Sequence, residues 1–263
     1  MDSFEIRGID DVGLPMPKGL PEDVAEPFVE HVVTKAAALR TQAMALAGPD
    51  VAVGGNPWVR LKFMVDIMAM SILPQTEQTV AEFVAEADVQ CRAGCSFCCH
   101  QNVDTTIPEA ILVALQLGNE ADPRRTAVLA AADAFRDLDD DARIMTGKPC
   151  PLLVDHRCSV YHARPINCRS FMSPDATNCR ESMRRIEAGE VEAGESPLPI
   201  EVYVVLRFLC GGEQAAVRGI CRDIGLQADI VELTQTVAAI IRDPNLIGRW
   251  AAGQKVFAAR CVD

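Results

Sequence analysis

Eight cysteines in the middle of this sequence are the residues whose type and spacing could do chemistry. They form two clusters, a compact one of Cys91, Cys95, Cys98 and Cys99 and a more widely spaced one of Cys150, Cys158, Cys168 and Cys179. Thiolates bind zinc, iron–sulfur clusters and Cu(I), and they are unsuited to Mg²⁺ and Ca²⁺. Eight thiolates are enough for two four-coordinate sites, or for one cluster and a separate ion. The pattern therefore predicts a centre that holds zinc or iron, the latter as an ion or as a [4Fe-4S] cluster.

The spacing of the compact cluster leaves its local structure open. A helix over 91–99 would place the four thiols within about a 100° arc, whereas Gly94 also allows a tight loop. Adjacent side chains point apart, so Cys98 and Cys99 are hard to place on one tetrahedral ion. We expect them on different metals, or one as a ligand and the other as a nearby thiol. Because neither cluster easily completes two sites alone, we expect the sulfurs of both to converge.

Composition and charge restrict the class of protein. The chain has 263 residues, of which 49% are hydrophobic and 24% charged, and its formal net charge is -12. Such a chain can bury a sizeable core, while its acidic balance disfavours nucleic acid and anionic membranes. It begins with no secretory signal and contains no run of about eighteen apolar residues. We therefore expect a soluble, cytoplasmic protein that binds a metal ion or cluster, without nucleic-acid or membrane contacts; any protein partner is unknown.

A reducing compartment makes the cysteine count informative, because disulfides do not persist there and dense cysteines then indicate metal or redox chemistry. The scattered Cys210, Cys221 and Cys261 are expected to be ordinary core thiols, and His100 is a candidate extra ligand. Five arginines beside the clusters are candidates to offset the negative charge of a thiolate site: Arg92, Arg157, Arg164, Arg169 and Arg180.

Helical periodicity on both sides of the cysteines indicates the fold class. Apolar residues recur at helical spacing from 22 to 47 and again from 173 onward. Asn56-Pro57 marks the start of a Met-rich helix that is expected to end at Pro74. One hairpin is expected near 152–161. We predict a mainly α protein, a single helical fold wrapped around a cysteine-rich metal centre, with at most this small β-hairpin.

The chain divides into three parts. They are an N-terminal helical portion (1–88), a cysteine-cluster metal-binding core (89–180) and a C-terminal helical portion (181–263). Since no linker composition separates these parts, we expect them to form one compact unit.

The cysteine clusters and their neighbours resemble a known family. The sequence reads Cys-x3-Cys-x2-Cys-Cys from Cys91, then Cys-Pro-x-Leu from Cys150 and Cys-x-Val-Tyr-x-x-Arg-Pro-x-x-Cys-Arg from Cys158, with Cys179 trailing. This order is similar to the YkgJ-type cysteine-cluster family, described as zinc- or iron-chelating or iron–sulfur proteins. The resemblance covers 91–179 and implies that all eight cysteines in it are metal ligands.

Enzymatic alternatives stand beside a metal-binding protein. A similar cysteine cluster occurs in flagellin lysine-N-methylases, so the resemblance also allows a cluster-dependent protein methyltransferase or an oxidoreductase. The Cys91-x3-Cys95-x2-Cys98 spacing matches the radical-SAM signature too, and Gly211-Gly212-Glu213 resembles the segment that holds the amino group of SAM. The helix-like segment before these cysteines and the lack of β/α alternation after them argue against that barrel. No residue can be assigned a catalytic role.

Overall fold

Helices make up most of the described chain, which confirms the predicted mainly α class. The computed structural model describes residues 22–191 and 201–260. The α-helices within these ranges are α1 Glu22–Ala45, α2 Pro57–Ile67, α3 Leu73–Glu86, α4 Ile107–Leu115, α5 Pro123–Phe135, α6 Asp140–Met145, α7 Ile166–Ser170, α8 Ala176–Ala188, α9 Val204–Asp223, α10 Leu233–Arg242 and α11 Asn245–Ala251. Shorter pieces are the 3-10 turns Pro49–Val51, Phe97–His100 and Tyr161–Ala163, the π-helical turn Met68–Ile72, and the strands β1 Asp104–Thr106, β2 Leu153–Val154, β3 Arg157–Cys158 and β4 Ile230–Glu232.

The strands form two separate antiparallel pairs. β2 and β3 make a hairpin in which Leu153 lies opposite Cys158. Its two turn residues, Asp155 and His156, have φ values of 49° and 58°, as a two-residue type I′ turn requires. The hairpin predicted near 152–161 is thereby confirmed. β1 pairs with the distant β4, with Thr105 opposite Val231. This second pair was not predicted from the sequence.

The helix expected to end at Pro74 continues through that residue, so this prediction was wrong. α2 passes through the π-helical turn, in which the Leu73 N–H bonds to the Met68 carbonyl five residues earlier, and then enters α3. Pro74 is at the start of α3. Because the hydrogen-bond register changes from π to α at this point, the missing amide of proline costs no ladder bond.

The main hydrophobic core draws on all three predicted parts of the chain. It includes Met68 from the N-terminal part, Ile111 and Ile166 from the cysteine-bearing part, and Leu206 and Trp250 from the C-terminal part. All five side chains are almost fully buried. Within the described ranges, no helix has the length and apolar character needed to cross a bilayer.

The two longest helices in the described part of the chain, α1 and α9, pack closely against each other at Gly212. A Cβ at this glycine would lie 2.6 Å from Val32 Cγ1 and 3.3 Å from the Val32 carbonyl oxygen. Side-chain atoms do not tolerate the shorter of these distances, so the glycine allows the helices to pack at their present separation.

We expect Gly212→Ala to lower the free energy of unfolding by about 1–3 kcal/mol, because the added methyl group overpacks this contact. Gly248→Ala in α11 is the matched control, since its Cβ would meet only Trp58 at an ordinary 3.6 Å. The control should be neutral or stabilising by up to about 1 kcal/mol through helix propensity. Urea unfolding measures both, and equal effects of the two variants would contradict the close approach.

Candidate metal centre

Loops and short elements, rather than long helices, carry most of the eight clustered cysteines. Cys91 and Cys95 lie in the loop after α3, and Cys98 and Cys99 lie in the 3-10 turn that follows. The others occupy the loop before β2, strand β3, helix α7 and helix α8: Cys150, Cys158, Cys168 and Cys179. Cys179 is buried and the other seven are half-buried, and all eight are free thiols.

A tight turn, not a helix, joins the first two of these cysteines. The Cys95 N–H donates to the Arg92 carbonyl at 2.9 Å, and Gly94 within the turn has φ +88°. This left-handed conformation is readily open only to glycine. Of the two local structures that the spacing allowed, the protein therefore adopts the loop.

Four thiols from both sequence clusters lie within electrostatic range of one another, and we name them the first thiol group: Cys91, Cys95, Cys98 and Cys179. Neighbouring charge on Cys95, Cys98 and Cys179 would raise the pKa of Cys91. Charge on Cys95 and Cys98 would likewise raise that of Cys179. Cys179, which is distant in sequence, is thus brought to the compact cluster by helix α8.

The remaining cysteines make up the second thiol group: Cys99, Cys150, Cys158 and Cys168. The Cys168 thiol interacts electrostatically with those of Cys150 and Cys158. Cys99 is tied to the group through its backbone, because its carbonyl accepts the Cys150 N–H at 2.6 Å. Cys98 connects the two groups, since its thiol is hydrogen-bonded to that of Cys99 and is within electrostatic range of Cys168.

The thiols lie near one another but are not arranged in a metal-coordination geometry. Among the residues described, no three Cys, His, Asp or Glu side chains stand close enough to hold one metal ion as placed. The structure brings cysteines of the two sequence clusters together, and their role as metal ligands stays a prediction. His100 directs its Nδ1 to the Phe97 carbonyl at 3.1 Å.

Hydrogen-bond donors point at several of the sulfurs. The Ser173 N–H lies 3.3 Å from Cys91 Sγ, and its hydroxyl bonds to the Cys179 thiol. In the second group, the backbone N–H of Leu152 bonds to the Cys150 sulfur, two residues earlier. The Val160 N–H does the same for Cys158. Donors of this kind stabilise thiolates and are typical of the surroundings of metal-bound sulfur.

Three arginines place positive charge beside the thiols. Arg164, one of the predicted candidates, interacts with Cys98, Cys158 and Cys168. Its Nε is buried and has no hydrogen-bond partner in the described part of the chain. The other two were not predicted from the sequence: Arg143 lies beside Cys150, and Arg207 lies beside Cys98 and Cys168. No local sequence signal marks them, because α6 and α9 bring them to the thiols from outside the clusters.

Other candidates take structural places. Arg169 donates from Nε to the Arg164 carbonyl at 2.7 Å and forms an ion pair with Glu77, so it fastens a loop instead of facing the sulfurs. Cys210 and Cys221 are buried in the core as predicted, whereas Cys261 lies outside the described residues. Gly211-Gly212-Glu213 is internal to α9 and packs against other helices, unlike an exposed segment that binds a cofactor.

Burial and neighbouring thiols raise the pKa of Cys91, Cys150 and Cys168. Burial raises the pKa of Cys91 and that of Cys150 from 9.0 to about 11, and the neighbouring thiols raise them further. It also raises the pKa of Cys168 well above its usual value. For Cys98 the hydrogen bond with Cys99 is the largest cause of a raised pKa, followed by burial. A bound cation would reverse this balance, because metals bind the thiolate and release its proton.

These residues fit a thiolate metal centre. The donor set is soft sulfur, N–H groups point at the sulfurs, and a buried guanidinium nitrogen without a partner adjoins three thiols. The fold and site thus define a helical protein with a thiol-lined centre.

Comparison with known proteins agrees with this class. Residues 90–188 match the family model CxxCxxCC, described as "Putative zinc- or iron-chelating domain". The match includes all eight clustered cysteines and confirms the cysteine-cluster resemblance found in the sequence. The matched residues make up less than half of the chain. No curated protein and no solved structure matches it.

The raised thiol pKa values predict how the metal-free protein responds to pH. The folded state holds the protons of Cys91 and Cys150 more tightly than the unfolded chain does. Their contribution to stability is therefore fully present below pH 9 and is lost as pH rises from 9 towards 11. Urea unfolding of chelator-treated protein at pH 8 and at pH 10.5, on either side of the ordinary pKa of about 9, should show a lower midpoint at the higher pH. In a Cys91→Ala/Cys150→Ala variant the decrease should be smaller, and an equal decrease would refute the assignment to these thiols.

Proposed function

We propose that this protein chelates zinc or iron through eight cysteines that act as two sets of four. The first thiol group would hold one centre and the second thiol group the other. The supporting observation is the sorting of the thiols: Cys179 interacts with the compact cluster, and Cys168 interacts with Cys150 and Cys158. Cys99 is added to the second group through its backbone bond to Cys150. An iron–sulfur cluster in one group and a single ion in the other satisfies the same donor set.

Charge favours this function over a set of inert core thiols. Four thiolates around a divalent ion leave a net negative charge, which needs nearby donors and cations. Arg164 and Arg207 adjoin Cys98 and Cys168 at the junction of the two groups. Arg143 adjoins Cys150. Cys210 and Cys221 also have arginines within electrostatic range, but they lie in the main hydrophobic core. The clustered thiols differ from them in that they also adjoin one another.

Sulfur donors also limit the chemistry of the bound group. A closed four-sulfur zinc site stabilises a fold, whereas an iron–sulfur cluster transfers electrons. The protein's own contribution is to orient the thiols, to donate N–H bonds to the sulfurs and to surround them with apolar groups. We assign no catalytic residue, and chelation is the function that these contacts support best.

Single substitutions should remove the two sets of ligands separately. Cys95→Ala should lose the metal of the first group and retain that of the second, and Cys158→Ala should do the reverse. Cys221→Ala is the control, because it removes a buried thiol of the core and should leave the metal content unchanged. Elemental analysis of anaerobically purified protein measures all three. Full wild-type metal content in both cluster variants would contradict the proposal.

Removal of metal should loosen the cysteine-bearing loops before the helical frame. Binding free energy becomes folding free energy where the ligands lie on segments with little other structure. We expect chelation to abolish amide protection from 90 to 100 and from 150 to 160, while α9 and α10 keep theirs. Hydrogen exchange with and without chelator tests this expectation. Equal loss of amide protection in the loops and in α9 and α10 would show that the metal stabilises the whole fold. Unchanged protection everywhere would show that the metal stabilises neither the loops nor the helices.

A further inference from the structure

A buried carboxylate, Glu109, lies outside the thiol groups and contacts one of the elements that carries them. It belongs to the first turn of α4 and is 1% exposed. Buried carboxylates are rare unless they are fully hydrogen-bonded, because a desolvated charge is costly. Its bonding partners therefore indicate what this residue does.

Both oxygens of Glu109 accept hydrogen bonds. Oε2 accepts the Thr106 N–H at 2.8 Å, the Thr106 hydroxyl at 2.7 Å and the Gln214 side-chain amide at 3.2 Å. The bond to the Thr106 N–H is half of a capping box that begins α4. Oε1 accepts the Ile166 N–H at 2.6 Å. One oxygen thus belongs to its own helix and α9, and the other reaches a different element.

That element is α7, the five-residue helix that carries Cys168 of the second thiol group. Ile166 is its first residue, so Glu109 accepts one of the amides that a helix N-terminus leaves unpaired. The Cys168 thiol is two residues further along. A helix this short has almost no stability of its own, so its position depends on such outside contacts. Asn167 adds a second one, donating to the Asp104 carbonyl at 2.6 Å.

We propose that Glu109 is a positioning residue for the second thiol group, acting through the Ile166 amide to fix the place of the Cys168 sulfur. This inference rests on the proposed chelating function. A carboxylate suits the role because both of its oxygens are acceptors. An amide in its place would turn an NH₂ group either to the Ile166 N–H or to the Thr106 N–H, and one of these bonds would be lost.

Glu213→Gln provides a matched control for Glu109→Gln. Glu213 is an equally buried carboxylate, 2% exposed, on α9. It accepts the Thr79 hydroxyl at 2.9 Å and lies 3.9 Å from Lys35 Nζ. Its hydrogen-bond and ion-pair partners are on α3 and α1, not on the helix that carries Cys168, and Glu109 itself lies within its electrostatic range. If a buried amide simply destabilises the protein at either position, both variants should be affected alike.

The test measures Co²⁺ affinity from thiolate-to-cobalt absorption, with each thiol group isolated. Cys95→Ala leaves the second group intact and Cys158→Ala leaves the first intact. We expect Glu109→Gln to weaken binding roughly tenfold or more in the Cys95→Ala background, as loss of a ligand-orienting bond does. In the Cys158→Ala background the change should stay below about twofold. Glu213→Gln should have no larger effect in either background.

The possible outcomes distinguish the positioning role of Glu109 from the proposed chelating function. If both backgrounds bind Co²⁺ with a thiolate signature and Glu109→Gln changes neither affinity, the positioning role is overturned and chelation stands. Equal weakening of both groups, or the same weakening by Glu213→Gln, would also overturn it, because that is general loosening. If neither background binds Co²⁺ through sulfur, both proposals fall. Should Glu109→Gln not fold, Glu109→Asp keeps the charge, shortens the reach to Ile166 and is expected to give the same selective loss.

Discussion

The burial of closely spaced thiols is the constraint around which the rest of this structure is arranged. Burial opposes the ionisation of Cys91 and Cys168, and the neighbouring thiols oppose it further. Other groups favour the ionised thiolates. They are the N–H donors at Cys91, Cys150 and Cys158 and the guanidinium of Arg164. These do not offset burial by themselves. A soft cation would supply the missing charge, and metal chelation is therefore the function that we propose for this arrangement.

The helical frame solves a different problem, which is to hold irregular loops around such a site. The core packs α1 and α9 closely at Gly212, and α9 also carries Arg207 towards the thiols. β1 and β4 tie the segment after the compact cluster to the C-terminal part. Glu109 then connects this frame to α7 through a single amide. Few residues of the cysteine-bearing loops are in regular secondary structure. The positions of the sulfurs therefore depend on a small number of polar contacts.

Much of this could be predicted from the sequence, because the signals were local. Asn56 begins α2 by accepting the Trp58 N–H at 2.9 Å, as its position before a proline indicates. The hairpin and the eight clustered cysteines were equally visible in sequence. The pairing of β1 with β4 was not, because each strand has three residues and no turn joins them. Ser173, Arg143 and Arg207 contribute through tertiary packing, which leaves no mark on local spacing.

The sequence did not indicate which thiols belong to the same site. The structure shows which of them interact. Cys179 joins the compact cluster, while Cys99 reaches the other group through its carbonyl. Cys98 interacts with both groups and its thiol is hydrogen-bonded to that of Cys99, so the assignment of these adjacent cysteines to different centres stays a prediction. Because Cys98 interacts with both groups, the two proposed centres would be electrostatically dependent on each other.

X-ray absorption at the zinc and iron edges of anaerobically purified protein tests the central claim most directly. If the eight cysteines chelate metal, the protein should contain zinc or iron in stoichiometric amount, with a first shell of sulfur at about 2.3 Å. Replacement of Cys95 and Cys158 together should remove that shell. Purified wild-type protein without stoichiometric metal, or with a first shell of nitrogen and oxygen, would contradict it.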